Sequence, residues 1–260
     1  MATNNSWRRW ETEDERQYGE VLYRRAIGEL PEMESSKAAA ELLAPFVRPD
    51  DHILDVGCGA GHYLKSFQKS IQVPFFYTGA DATPYYLELA KKAFPETDRI
   101  SFAQADIFNL PFADASFDIV TANNVLLHLP NIIKPVEELC RVAKRTVIIR
   151  SLIGNRSFRI QEVQNKEPEF DDQGEPTAFF YYNIYSENYI RYLTSKLPRV
   201  RSVKIEADTS FSEQAIEDAV EAQKNKIGVT KMLAGKQTNG YLILPWSFVT
   251  ITLDGGVAGA

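Results

Sequence analysis

The stretch that decides the fold runs from Ile53 to Gly61 and reads ILDVGCGAG. It begins with β-forming residues and ends in three glycines at alternate positions, and a helical pattern follows from about Tyr63. Glycine has no Cβ, so a turn of this kind lets a ligand approach the backbone closely. The dinucleotide fingerprint G-x-G-x-x-G requires a glycine at position 62, where this chain has His62. The spacing therefore argues against a nicotinamide dehydrogenase.

Short apolar runs alternate with helical patterns around this turn. Strands are predicted at residues 52–56, 75–80, 100–105, 117–122 and 146–149, and helices from about 63, at 84–93 and at about 134–142. This alternation predicts βαβ units and an α/β, doubly wound, mostly parallel sheet with helices on both faces. Two later β-rich runs, at 200–207 and at 241–253 with an interruption at Pro245, fit the closing strands of a seven-stranded sheet.

The chain divides into an N-terminal helical cap at residues 1–48 and one larger domain at residues 49–260. Tyr18, Leu22 and Ala26 recur at helical spacing in the cap, which predicts a helix packed against the sheet. Glycines, prolines and an acidic cluster interrupt the alternation at about 153–184, so this segment is predicted to be an insertion after the fifth strand.

The composition excludes several classes of protein. Apolar residues make up 44% and charged residues 25% of the 260 residues, as in globular domains. No apolar run is long enough to span a membrane, and the first residues lack the apolar core of a secretory signal. Two cysteines are too few for a disulfide framework or a four-ligand zinc site, so we expect a cytoplasmic protein without a metal. The net charge of -6 argues against a nucleic-acid partner, and the oligomeric state is left open.

Polar residues follow the ends of three successive predicted strands. Asp81, Asp106 and the pair Asn123-Asn124 come directly after the second, third and fourth strands. Ligands bind at this edge of a parallel sheet. A carboxylate at Asp81 can accept both hydroxyls of a ribose, and one at Asp106 can accept an adenine amino group beside the apolar Ile107. Each aspartate alone could be a helix cap or a turn residue, but their occurrence in order after a glycine turn favours a nucleoside ligand.

Together these residues resemble the motifs of class I S-adenosylmethionine-dependent methyltransferases, in the broad branch of small-molecule enzymes similar to methyltransferase type 11. The segments that match the family's glycine motif, second-strand acid, adenine-binding segment, fourth strand and following helix are 53–61, Asp81, 105–107, 117–120 and 125–129. The similarity covers about residues 50–152. It implies a Rossmann-like methyltransferase fold, S-adenosylmethionine as the cofactor, and methyl transfer to an oxygen or nitrogen of a small-molecule or glycan-like acceptor.

The resemblance also implies roles for individual residues. The cofactor-binding residues are predicted to be Asp55, Gly57, Gly59, Asp81, Ala82, Asp106, Ile107 and Asn123. His128 lies near the mouth of the site after the fourth strand and is the candidate general base, because an imidazole titrates near neutral pH. The alternative for His128 is a structural role with a hydrogen bond to the backbone.

Other functions stay open at this point. One is a methyltransferase that acts on tRNA or protein, and another is a catalytically silent protein that binds S-adenosylmethionine. The fourth strand is not followed by an Asn-Pro-Pro-Tyr tetrad, which argues against amino methylation of DNA bases. It is also not followed by an acidic pair, which argues against a magnesium-dependent catechol-type enzyme.

Segments outside the motifs are candidates for the acceptor site. The aromatic stretch from Phe179 to Tyr185 and the N-terminal Trp7 and Trp10 are predicted either to close over the pocket or to serve as core and anchor residues. Arg150, at the end of the fifth strand, is predicted either to bind an acceptor carboxylate or phosphate or to form a surface ion pair.

Overall fold

A computed structural model of the chain describes residues 13–163, 170–177, 179–210, 230–233, 236–239 and 242–254. Trp7 and Trp10 lie outside the described residues. The helices are α1 (Glu13–Ile27), α2 (Glu34–Leu43), α3 (His62–Ser70), α4 (Pro84–Ala93), α5 (Ile133–Val142) and α6 (Glu187–Thr194), with 3-10 turns at Ala44–Phe46 and Leu126–His128. The strands are β1 (Asp51–Val56), β2 (Phe75–Asp81), β3 (Ile100–Gln104), β4 (Phe117–Asn123), β5 (Ala143–Gly154), β6 (Gln161–Val163), β7 (Phe179–Tyr181), β8 (Tyr185–Ser186), β9 (Val200–Ala207), β10 (Thr230–Leu233), β11 (Lys236–Asn239), β12 (Leu242–Leu244) and β13 (Trp246–Leu253).

Seven strands form the central sheet in the order β3-β2-β1-β4-β5-β13-β9. The first five are parallel to one another, and β13 runs antiparallel to both of its neighbours. This topology confirms the predicted doubly wound, mostly parallel α/β sheet. The sheet also takes up β8 through a two-residue parallel pairing with β5. The division into an N-terminal cap and a larger domain with an insertion stays a prediction.

Helices cover both faces of the sheet because alternate residues of the central strands are apolar on each side. On one face, α2 and α3 contribute Leu43, Leu64 and Phe67 to a buried cluster. On the other face, α5 and α6 contribute Leu139 and Ile190 to a second buried cluster. The two clusters hold β1 and β4 rigidly in the middle, so the carboxyl ends of these strands have fixed positions.

The fifth strand is much longer than predicted. The sequence predicted 146–149, whereas β5 extends to Gly154 and pairs with β13 up to Leu152. Arg150 and Ser151 gave the appearance of a strand end, yet both are buried in the sheet. Part of the predicted insertion is therefore strand, and the β6–β7 hairpin and β8 lie in the rest of it.

The predicted interruption at Pro245 separates two different sheets. The strand β12 pairs with β11, and β13 joins the central sheet. Proline has no backbone N–H, so it suits a break in pairing. Among the helices that the structure describes, none combines the length and the apolar character needed to cross a membrane.

Candidate functional site

A cavity of about 280 Å³ opens at the carboxyl ends of β1, β2 and β4. Eight of the nine predicted site residues line it: Gly57, Gly59, Asp81, Ala82, Asp106, Ile107, Asn123 and His128. The exception is Asp55, which lies behind the glycine turn. The volume of the cavity is near the lower end of the range for small-molecule pockets.

The glycine turn forms one wall of the cavity. Gly57 and Gly59 have φ angles of 77° and 53°, in the left-handed region that favours glycine. A Cβ on Gly57 would lie 2.3 Å from Cγ2 of Val125. The chain therefore needs glycine at position 57 both for its backbone conformation and for the close approach of Val125.

Asp81 connects the glycine turn to the end of β2. Its Oδ2 accepts a hydrogen bond from the backbone N–H of Gly59, and its Oδ1 accepts one from the N–H of Thr83, each at 2.9 Å. The N-cap of α4 is Thr83 and not Asp81, so the helix-cap interpretation of Asp81 is wrong. Burial raises the pKa of Asp81, while its hydrogen bonds to the backbone act in the opposite direction. Each carboxylate oxygen retains a further lone pair for a ligand hydroxyl.

Asp106 and Ile107 form the wall beyond β3. The Oδ1 atom of Asp106 accepts a hydrogen bond from the N–H of Phe108 at 3.0 Å, which is a local turn contact. Ile107 is buried beside it. Within the part of the chain that the structure describes, Oδ2 of Asp106 has no hydrogen-bond donor, so it can accept one from a ligand.

Asp55 has a different environment. Its Oδ2 accepts a hydrogen bond from the hydroxyl of Tyr77 at 2.9 Å, and the carboxyl group is buried. Burial, the largest effect, raises the pKa of Asp55 to about 7. The side chain supports the strand below the glycine turn, and its predicted role in holding the cofactor stays a prediction.

Both residues of the pair at the end of β4 line the cavity, and Asn124 also belongs to a polar network. Asn123 donates from Nδ2 to the hydroxyl of Thr121, and its buried Oδ1 has no hydrogen-bond partner among the described residues. Asn124 has a φ of 60° and accepts a hydrogen bond from Arg150 at its Oδ1. The buried acceptor on Asn123 fits a ligand that brings a donor to this wall.

Arg150 is enclosed in the protein. Its side chain and that of its partner Asp208 are each only 1% exposed, and Nε of Arg150 donates to Oδ2 of Asp208 at 2.7 Å. The guanidinium also lies 4.1 Å from the centre of the Trp246 ring. Both predicted roles for Arg150 are therefore wrong, because its pair is buried and Trp246, not Arg150, lines the cavity.

His128 lines the same cavity as Asp81, from the 3-10 turn after β4. Its Nδ1 is 3.1 Å from the carbonyl oxygen of Tyr181, and its ring meets that of Tyr182 edge-on with centroids 5.6 Å apart. A carbonyl only accepts hydrogen bonds, so this contact puts the hydrogen on Nδ1 and leaves the lone pair of the neutral ring on Nε2. The backbone bond expected for a structural role is present, and the tautomer it selects also suits a base.

The aromatic stretch divides into a cavity residue and a core residue. Tyr182 lines the cavity, whereas Tyr185 is buried and donates from its hydroxyl to the carbonyl of Leu126 at 3.3 Å. Side chains that the sequence did not predict complete the walls; they include Tyr18, Leu22, Met33, Tyr63, Tyr86 and Trp246. No group of three or more His, Cys, Asp or Glu side chains that could hold a metal occurs in the described part of the chain.

Known proteins are similar in sequence to the segment that supplies much of this cavity. Residues 54–149 match the model of a methyltransferase domain family. The uncharacterised methyltransferase YcgJ of Bacillus subtilis is 35% identical over 100 residues, which is 38% of each chain. The demethylmenaquinone methyltransferase of Lactiplantibacillus plantarum is 32% identical over 96 residues, 36% of this chain and 40% of that one. The match thus spans about two fifths of the length of these relatives.

Solved structures resemble a larger part of the fold. The phosphoethanolamine N-methyltransferase 2 of Haemonchus contortus, in complex with S-adenosylmethionine, matches with a TM-score of 0.61 and 16% identity over 96% of this chain and 60% of that one. At this identity the likeness bears on the fold alone. The family model and the relatives agree that the chain carries a segment similar to the methyltransferase domain family, and the solved structures show a likeness of fold over most of the chain. Residues 54–149 therefore match the methyltransferase domain family.

Proposed function

We propose that the chain binds S-adenosylmethionine in the 280 Å³ cavity and transfers its methyl group to an oxygen or nitrogen of a small-molecule acceptor. The observation that carries the proposal is the carboxylate of Asp81, which two backbone N–H groups orient at the end of β2 beside the glycine turn. The proposal extends the match over residues 54–149 to the activity and acceptor class of the protein, which the partial matches leave open.

The polar groups of the cavity fit the parts of this cofactor. Asp81 would accept the ribose hydroxyls, and Asp106 would accept the adenine amino group with Ile107 against the ring. The cavity wall at Gly57 and Gly59 and the unpartnered Oδ1 of Asn123 suit the methionine end. When bound, the cofactor supplies an electrophilic methyl group on a positively charged sulfur.

The chain's own residues then orient the acceptor and manage its proton. Tyr182, Trp246 and Leu127 give the acceptor end of the cavity an aromatic and apolar wall, which suits a small organic molecule and excludes water. Nε2 of His128 is the atom that takes a proton from an acceptor hydroxyl or ammonium group. Holding the acceptor in line is the larger contribution, since alignment alone is worth many powers of ten in rate.

The name of one relative, a demethylmenaquinone methyltransferase, supports a small-molecule acceptor without identifying it. The net charge of -6 does not favour tRNA.

Isothermal titration calorimetry tests the cofactor, and a transfer assay tests the acceptor. S-adenosylmethionine and S-adenosylhomocysteine should each bind at one site, while NADH should not bind. Binding of NADH without binding of S-adenosylmethionine would refute the proposal. Radiolabelled methyl transfer to a panel of hydroxylated and amino-bearing small molecules, bulk tRNA and protein then distinguishes the acceptor classes. Label in tRNA or protein alone, or binding without turnover on the whole panel, would favour the other two functions.

A further inference from the structure

A second cavity, of about 320 Å³, lies between α1, α2 and α3. Arg25 of α1 and Lys65 and Lys69 of α3 line it, together with Glu32 from the segment before α2. His62 lines both this cavity and the first one. The two cavities are therefore neighbours, with the first turn of α3 between them.

The charges around the second cavity do not balance. Nζ of Lys69 forms an ion pair with Oε2 of Glu32 at 2.7 Å, which accounts for the one carboxylate on the lining. Arg25 and Lys65 have no ion pair with any described residue, and both side chains are half-buried. Two uncompensated positive charges on one cavity are unfavourable unless an anion or bulk water faces them.

Two polar atoms at this cavity are also buried without a hydrogen-bond partner. They are Nε of Arg25 and Nδ1 of His62, among the few such atoms in the described residues. His62 is only 9% exposed, and its pKa falls to about 3, first because of burial and then because of the charge of Arg25. The imidazole is therefore neutral and has one N–H to donate. Buried donors without a partner are rare in folded proteins.

We propose that the cavity between α1, α2 and α3 is a binding site for a carboxylate or phosphate group. Arg25 and Lys65 supply the charge, and the neutral imidazole of His62 can carry its single hydrogen on the unpartnered Nδ1 and donate it to the anion. Arginine suits this role because its planar guanidinium can donate two parallel hydrogen bonds to such an anion.

The anion can have two sources. One is the methionine carboxylate of the cofactor, because Cε1 of His62 lies only 3.9 Å from the position that a Cβ on Gly59 would take. The other is a separate small anion. The first source rests on the proposed function, and the second does not.

The test uses Arg25→Gln, with Arg24→Gln as a matched control. Arg24 is the adjacent residue of α1, but it is exposed and paired with Glu29 at 3.1 Å. Each variant is titrated with S-adenosylmethionine, with decarboxylated S-adenosylmethionine, which differs only in lacking the carboxylate, and with inorganic phosphate. Arg25→Lys retains the positive charge and should therefore retain part of any binding affinity that Arg25→Gln loses.

If the cofactor carboxylate is the anion, Arg25→Gln should weaken binding of S-adenosylmethionine by about tenfold or more. Binding of the decarboxylated compound should stay the same. If the anion is separate, Arg25→Gln should leave both affinities unchanged and abolish phosphate binding. Arg24→Gln should change none of the three.

Unchanged binding of all three probes in Arg25→Gln would overturn the proposal. If neither adenosyl compound binds even the unmodified protein, the proposed function fails and the phosphate titration alone decides on the anion site. Should Arg25→Gln not fold, Lys65→Gln on the neighbouring helix gives the same comparison, with a smaller loss expected and an unchanged set of affinities counting against the site.

Discussion

The backbone N–H of Gly59 donates a hydrogen bond to Oδ2 of Asp81 across 2.9 Å, and this bond joins the turn after β1 to the end of β2. The contact fixes the carboxylate before any ligand arrives. Since the same turn and the same carboxylate belong to the proposed cofactor site, the two motifs act as one unit, and a change in either should affect the other.

Asp81→Asn should weaken binding of S-adenosylmethionine at least tenfold. The substitution removes the negative charge that strengthens hydrogen bonds from ribose hydroxyls, and each charge-assisted bond contributes roughly 1.5–3 kcal/mol. Calorimetric titration measures the change. Asp98→Asn is the control, since it changes the net charge equally at an exposed site. Unaltered affinity in Asp81→Asn would mean that Asp81 only joins the two turns.

Gly57→Ala should destabilise the protein by about 2–4 kcal/mol, from the positive φ angle and from overpacking against Val125. The methyl group would lie 2.3 Å from Cγ2 of Val125. Urea denaturation measures the loss. In the Val125→Ala background, Gly57→Ala should lower the free energy of unfolding by less than it does in the unmodified protein, because only the backbone strain remains. Equal losses in the two backgrounds would show that the contact with Val125 has no effect.

His128→Asn should lower the maximal rate by about 10²-fold and leave cofactor affinity nearly unchanged. The asparagine retains a donor toward the carbonyl of Tyr181 but has no basic nitrogen. Steady-state kinetics with an identified acceptor and a parallel cofactor titration give the two values. A near-normal rate would leave His128 with the structural role alone.

Asp55→Asn should change how stability depends on pH. In the folded protein Asp55 retains its proton up to about pH 7, whereas the ordinary pKa of an aspartate is 3.8. Between these values the unfolded chain binds fewer protons, so the free energy of unfolding falls as pH rises, by at most about 1.4 kcal/mol per pH unit. Urea denaturation across this window should show a shallower decline in Asp55→Asn than in the unmodified protein. Parallel curves would show that Asp55 ionises at its ordinary pKa.

Tyr182→Ala should affect acceptor binding, whereas Tyr185→Ala should affect the stability of the fold. Tyr182 lines the cavity, so its loss should raise the Michaelis constant for the acceptor and change cofactor affinity by less than about threefold. Tyr185 is core, so its loss should cost about 3–5 kcal/mol of stability. Thermal melts and kinetics on both variants separate the two effects. Impaired folding of Tyr182→Ala with normal folding of Tyr185→Ala would contradict this division.

Asp81 and Asp106 could be predicted from the sequence as residues that line the cavity. Each comes at the end of a predicted strand, and the ends of parallel strands meet at one edge of the sheet. Tyr18 and Leu22 could not be recognised as cavity residues. Their spacing on α1 is the same whether a helix covers a core or a pocket, and periodicity reports only that one face is apolar.

Arg150 shows a second limit of sequence reasoning. A single arginine after an apolar run looks like the exposed end of a strand, because arginine is seldom buried without a partner. Its partner Asp208 is 58 residues away and is brought near only when β5, β13 and β9 pair. Local patterns carry no information about such a pair, so both its burial and the full length of β5 were missed.

The position of β13 between β5 and β9 constrains the order of folding. During synthesis β13 is made after both β5 and β9. The strand β9 therefore cannot join the sheet until residues 246–253 leave the ribosome. Until then β5 has an unpaired edge on the side where β13 later pairs. Unpaired edges of apolar strands favour aggregation. Completion of the sheet therefore depends on a contact between segments about 100 residues apart, from Ser151 to Ser247, and contacts of this range slow folding.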